Sequence, residues 1–220
     1  MKLIISKWWR AVALVLSMVT ADATLADTAL PEFRSYTIYR DGSEIGIRNL
    51  TIVQQGEDTV GDIVTSIEVS VAFITVFTRD EEFREVWRGG QLVSFTSVVD
   101  DDGEDFTVEA VRDGTDIKVT ANDVSYQAPA DSLPGTYWTQ DIGDASTLIH
   151  VKTGILQQVT TEPAGEKTVE TGMGRVAAFH YTMTGDENVE LWFDNTGVVV
   201  RAVYASNDGS EIEFLMAESR

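Results

Sequence analysis

The chain reads as an all-β domain, an antiparallel meander forming a closed or partly open barrel, and three observations carry that expectation. Beyond residue 33, apolar side chains recur at every second position, the period of a pleated strand rather than of a helix. The apolar runs are short, and Asp41-Gly42, Gly89-Gly90, Asp113-Gly114, Asn195-Thr196-Gly197 and Asp208-Gly209 separate them, the residue types that tight hairpin turns demand. No stretch past the N-terminus carries a helix of useful length, and no fixed-period repeat is present. One apolar face per strand puts a core on one side of the sheet and water on the other. Closing the sheet removes edges prone to aggregate, which favours a barrel over a two-sheet β-sandwich, the alternative.

Taken in order, residues 1–26 have the layout of a secretory signal-peptide helix. Lys2, Lys7 and Arg10 form a basic start, 11–19 (AVALVLSMV) an apolar run, and Ala21-Asp22-Ala23 and Thr24-Leu25-Ala26 supply small residues for cleavage. The apolar run is shorter than the roughly 20 residues a bilayer span needs. Cleavage is expected after Ala26, with Ala23 the alternative. Residues 27–220 then form a single all-β domain in the periplasm of a Gram-negative cell, no longer membrane-embedded.

After a loose lead-in, strands are expected at 33–40 and 45–53, with Gly46 a bulge or a point of close approach. The longest run is 63–77. Ile63, Thr65, Ile67, Val69, Val71, Phe73, Thr75 and Phe77 share one face, and both faces turn apolar at 72–76. That pattern suggests one long, curved strand covered on both sides, followed by a charged turn at 79–82. Hairpins follow at 83–88 with 92–99 and at 106–112 with 117–120. Residues 121–146 lose the alternation and hold Pro129, Pro134, Gly135 and the pair Tyr137-Trp138. They read as a long crossover loop, its aromatics plugging a barrel end, with a helical turn at 144–148 capped by Asp144. Extended segments at 148–151 and 155–160 precede a polar connection at 162–174. Strands at 176–184, 189–193, 198–205 and 212–216 complete the meander, with His180 facing outward, opposite Phe179 and Tyr181.

Composition narrows the function. The 220-residue chain is 43% hydrophobic, enough for a sizeable core, and carries a formal charge of −20. A field of that sign repels phosphate backbones and anionic lipid surfaces, so nucleic acid and direct headgroup binding are disfavoured. There are no cysteines, which excludes disulfides, thiol catalysis, cysteine-bound zinc and a lipidated cysteine after the leader.

No catalytic residue, metal site or cofactor is assigned. In Asp100-Asp101-Asp102-Gly103-Glu104-Asp105 the glycine comes too early for a calcium loop and the chain runs straight into a strand, so the cluster reads as a solvated turn. His150 and His180 lack spaced carboxylate partners, and neither Ser132 nor Ser146 sits in a nucleophile elbow. With 36 acidic residues, chance carboxylate pairs are unavoidable. The candidate ligand-lining residues are the large aromatics Phe73, Phe77, Trp87, Tyr137, Trp138 and Trp192. Trp87 shares a strand face with Phe83 and Glu85, which fits either an apolar pocket with one polar handle or a face turned away from the core. Two functions remain open: a non-enzymatic binding protein for an apolar or amphipathic small molecule, gated by 121–146, and an envelope interaction or scaffold module with a filled core.

Five segments also stand out together: Tyr36-Thr37-Ile38-Tyr39-Arg40-Asp41-Gly42, Glu85-Val86-Trp87-Arg88-Gly89-Gly90-Gln91-Leu92-Val93-Ser94, Thr136-Tyr137-Trp138, Lys152-Thr153-Gly154, and Leu191-Trp192-Phe193-Asp194 followed by Gly197. Their order and spacing resemble a family of exported proteobacterial all-β proteins known only as a domain of unknown function. The resemblance spans nearly the whole of 27–220. It implies an exported meander-like β domain and no activity, so no functional residue is carried over from it. A looser likeness links such domains to periplasmic open barrels that shelter lipid chains, an analogy of fold alone.

Overall fold

A computed structural model describes residues 30–220; the expected signal peptide at 1–26 lies outside the described residues. The strands are β1 (Glu32–Arg40), β2 (Ser43–Gln55), β3 (Asp58–Val71), β4 (Ile74–Arg88), β5 (Gln91–Asp101), β6 (Glu104–Asp113), β7 (Asp116–Ala121) and β8 (Val124–Ala128) in the first half. The second half holds β9 (Leu133–Pro134), β10 (Thr147–Ile149), β11 (Leu156–Thr171), β12 (Gly174–Gly185), β13 (Val189–Phe193), β14 (Val199–Ala205) and β15 (Glu211–Ser219). All fifteen belong to one sheet rather than two facing ones, ordered β8-β7-β6-β5-β4-β3-β2-β1-β15-β14-β13-β12-β11-β10-β9. Every neighbouring pair is antiparallel except β9 with β10.

Both ends of the described chain lie at the centre of this sheet, where Phe33 and Arg220 exchange backbone hydrogen bonds of 2.8 and 2.9 Å. The edge strands β8 and β9 are consecutive in sequence. The five residue steps from Ala128 to Leu133 span at most about 18 Å, so the sheet must curl until its edges nearly meet. The result is a barrel-like sheet that stays open along this seam.

The curl encloses two apolar clusters. Phe83, Trp87, Leu92, Phe95, Ile117 and Trp138 anchor one beneath β2–β8, and Ile38, Leu148, Met183, Leu191, Phe193 and Phe214 anchor the other beneath β1 and β10–β15. A third cluster, including Val169, Ala178, Trp192 and Val200, lies under the far half of the β11–β12 hairpin, which crosses β14 and β15. Its turn is fastened there: the Gly172 N–H donates to the Met216 carbonyl at 2.9 Å, and a Cβ at Gly172 would stand 2.7 Å from the Ala217 carbonyl oxygen.

Several sequence expectations require correction. The 63–77 run is not one strand: the chain reverses at Ala72 and Phe73, whose φ angles of 49° and 67° lie in the left-handed region. Neither residue favours that region, so the turn leaves no compositional signal. The charged residues 79–82 are therefore mid-strand in β4, and Glu81 points inward. Within the expected loop, Asn122 and Asp123 make a second left-handed turn (φ 42° and 74°) and launch β8. The helical turn is a 3-10 turn at Gln140–Asp144 that Asp144 does not cap, and Thr147–Ile149 is strand. The polar segment 162–174 belongs largely to β11, which runs through Pro163 with a bulge between Pro163 and Gly165. His180 is buried, at 5% exposure, with its ring stacked on Trp192 of β13. Gly46 is a point of close approach: a Cβ there would stand 2.2 Å from the Ser66 carbonyl oxygen. Among the described residues no helix is long and apolar enough to cross a membrane, which says nothing of β-barrel insertion.

Candidate functional site

On β4 the inward positions alternate Phe77, Arg79, Glu81, Phe83, Glu85 and Trp87, so two carboxylates and a guanidinium share the apolar parity. Cross-strand register then decides their neighbours. Glu85 stands opposite Gly61 of β3, and Glu81 opposite Thr65, itself opposite Arg48 of β2.

The deeper carboxylate is a structural clasp. Glu85 is fully buried and has no cationic partner among the described residues; Arg84 and Arg88 pair outward with Asp62 and Asp58. Its carboxyl instead accepts the indole N–H groups of Trp87 and Trp138, each at 2.8 Å, and the Thr136 hydroxyl at 2.6 Å. Burial raises its pKa above the usual glutamate range, against the lowering effect of those three hydrogen bonds. Gly61 makes the clasp feasible, because a Cβ there would meet the Trp138 ring at 3.1 Å. Arg34 fixes the same loop from the other side, its Nη1 donating to the Trp138 carbonyl at 3.1 Å.

Nearer the mouth of the barrel the shallower carboxylate is doubly paired. Arg48 reaches Glu81 at 2.9 Å and Arg79 reaches it at 2.7 Å. Arg48 also donates to Thr65 Oγ1 at 2.9 Å and lies 4.4 Å from the centroid of the Phe214 ring, which holds the guanidinium in place. Burial raises the Glu81 pKa, but the charges of Arg48 and Arg79 and their hydrogen bonds outweigh it and hold the carboxyl below its usual range.

This triad forms the floor of an open cleft of about 450 Å³. Ile45, Ile67, Val69, Val76, Phe77 and Ile212 give it apolar walls. The floor continues into a more polar recess of about 250 Å³ bordered by Tyr137, His150, Gln157 and Glu187. His150 Nδ1 accepts the backbone N–H groups of Lys152 and Thr153, which leaves a proton on Nε2. Burial, followed by the charges of Arg79 and Lys152, lowers its pKa, so the ring is neutral at pH 7. Below the floor a pocket bordered by Tyr36, Leu50 and Trp138 offers about 20 Å³, room for one water.

The six aromatics singled out from sequence are not gathered in one place. Phe77 and Tyr137 border the cleft and its recess. Trp87 and Trp138 meet at Glu85, in the packed interior. Trp192 lies beneath the hairpin arm, stacked on His180 at a centroid distance of 4.4 Å. Phe73 projects fully into solvent from the β3–β4 turn. Aromatic size does not single out the charged residues Arg48, Arg79 and Glu81. The available signal was parity, since Arg48 alternates with Leu50 and Ile52 just as Glu81 and Glu85 alternate with Phe83 and Trp87. Among the described residues no group of three or more potential metal ligands is present.

The fold has a solved counterpart. A crystal structure from Brucella abortus, described as a beta-barrel-like protein of domain of unknown function DUF1849, aligns with a TM-score of 0.65 over 88% of this chain and 98% of its own. The two are 9% identical, a likeness of fold alone. No curated protein matches the sequence. The segments that suggested a family of unknown function all fall within residues 36–217, which match the family model DUF6134, domain of unknown function, and the chain belongs to that family.

Proposed function

We propose that this chain is a non-enzymatic binding protein of the periplasm that holds an amphipathic small molecule at the mouth of its barrel. The observation that carries the reading is the cleft itself: an open space of about 450 Å³ with aliphatic and aromatic walls and charged groups confined to its floor. Ligand sites are commonly concave, a few hundred Å³ or more, mostly apolar and supplied with a few fixed polar groups. The packing below bears on where a ligand would sit. An inner pocket with room for one water favours the mouth as the place for an apolar chain. The leader-like residues 1–26 support the periplasmic assignment.

The test is a titration of residues 27–220 with dodecanol below its solubility limit, followed by intrinsic fluorescence and native mass spectrometry. A saturable one-to-one complex that Ile67→Asp abolishes is expected. A chain that takes up neither dodecanol nor charged amphiphiles of the same length would sink the reading.

A second reading, an envelope interaction module, is favoured by the exposed apolar tip of the β3–β4 hairpin, where Val71, Phe73 and Ile74 are all more than 60% exposed. It predicts that Phe73→Ser weakens capture of a specific protein partner and leaves dodecanol binding unchanged.

A further inference from the structure

Resting on the binding reading above, we infer that the cleft selects amphiphiles bearing a single negative charge, with the headgroup on Arg79 and Arg48 and the chain along Ile67, Val69 and Phe77. Charge at the floor supports this. Two guanidiniums share one carboxylate there, both within 3 Å of Glu81. The third arginine of the cleft, Arg40, is matched by Asp208. The walls of the large cleft therefore enclose one positive charge more than they neutralise, inside a chain whose net charge is −20.

Arg79 also has a donor free to act. Arg79 turns Nε and Nη2 toward Glu81, and its Nη1 group has no acceptor among the described residues. A guanidinium has five N–H donors in a rigid fork that suits a carboxylate. Arg48 already donates to Thr65, Glu81 and the Thr136 carbonyl and lies against the Phe214 ring, so it supplies a fixed charge that needs no reorganisation when an anion arrives.

Other charged groups define the limits of the site. Glu187 borders only the polar recess, where it accepts from Gln157 at 2.8 Å, and it disfavours a second anionic group on that side. Neutral His150 adds a donor to the recess without adding charge. A monocarboxylate thus matches the excess charge, whereas a dianion would overcompensate it and meet Glu187.

The experiment compares dodecanoate, dodecanol and dodecylammonium on residues 27–220 by isothermal titration below their critical micelle concentrations. Dodecanoate is expected to bind at least tenfold more tightly than dodecanol, and dodecylammonium more weakly than either. Arg79→Gln should erase the preference for dodecanoate while keeping dodecanol affinity, and Arg79→Lys should retain most of it. Both variants must show wild-type circular dichroism, and Arg79, 26% exposed in its side chain, is the more accessible of the two arginines. Equal affinity for acid and alcohol, tighter binding of the amine, or an unchanged preference in a folded Arg79→Gln variant would each overturn the inference and leave the binding reading standing. Failure of all three probes to bind would overturn both.

Discussion

Glutamine at position 85 should convert a pH-sensitive barrel into one that loses no stability to this site as the pH rises. Glu85 is fully buried and its only polar partners among the described residues are two indole N–H groups and one hydroxyl. A protonated carboxyl satisfies all three, one oxygen accepting both indoles and the other exchanging a hydrogen bond with Thr136. Glutamine reproduces that pattern, its oxygen facing the indoles and its amide facing the hydroxyl. Because burial raises the folded pKa above 4.5, the folded state keeps this proton where the unfolded chain has lost it. The stabilisation is complete below pH 4.5 and is lost as the pH climbs through the folded value. Glu85→Gln should therefore match wild type in acid and exceed it at higher pH. Glu85→Leu fills similar space but strands three donors. At about 1–3 kcal/mol each, with less than full additivity, that amounts to about 3–6 kcal/mol. For a domain of this size the melting temperature should fall by roughly 6–24 °C. Thermal melts between pH 4 and 9, followed through the fluorescence of the adjacent Trp87 and Trp138, read both effects. A wild-type minus Glu85→Gln difference that stays flat across that range, or a Glu85→Leu protein as stable as wild type, would refute the reasoning.

Other perturbations follow from the same geometry. Glu81→Gln leaves Arg48 and Arg79 without their counter-charge and should cost about 3–5 kcal/mol by urea denaturation at pH 7. The folded pKa of Glu81 is depressed, so its contribution is present above pH 4.5 and lost as the pH falls through the lower folded value; the variant should lack that part of the acid transition. Replacing Ala72-Phe73 by Asn-Gly relieves two left-handed residues and should raise stability by about 1–2 kcal/mol in a thermal melt, since Phe73 packs against nothing among the described residues. Gly172→Ala drives a Cβ into the Ala217 backbone and should cost about 1–3 kcal/mol. Its signature is faster amide exchange in the far half of β11–β12, with the strands around Glu85 unchanged.

The sequence made the class of fold legible because period-two alternation and glycine turns are local signals. Gly89-Gly90 and Asp208-Gly209 sit where strands reverse, in left-handed conformations at Gly89, Gly90 and Gly209. The failures share a cause: a long-range contact overrode the local signal. Ala72 and Phe73 turn because β3 and β4 pair along their full lengths, and nothing in those two side chains announces it. His180 alternates as an outward residue should, yet it is buried against Trp192, its partner across β12 and β13. The site was the least legible part. Aromatic size drew attention to Trp87 and Trp138, which close the interior, whereas the cleft floor is built from charged residues on the apolar parity of β2 and β4. Only register, which puts Arg48, Thr65 and Glu81 in one row, brings them together.

The place where the first and last strands meet has a topological consequence. Read from edge to edge, the sheet runs β9 to β15 and then β1 to β8, so from β10 onward the natural chain is a rearranged order of a simple meander, with β9 added in parallel at one edge. Linking Arg220 back to Glu32 and opening the chain within 129–132 would make every strand adjacent in sequence to its partner in space. That circular permutant would trade the one pairing of greatest sequence separation, β1 with β15, for a local one. Its lower contact order should speed folding while leaving the final architecture the same.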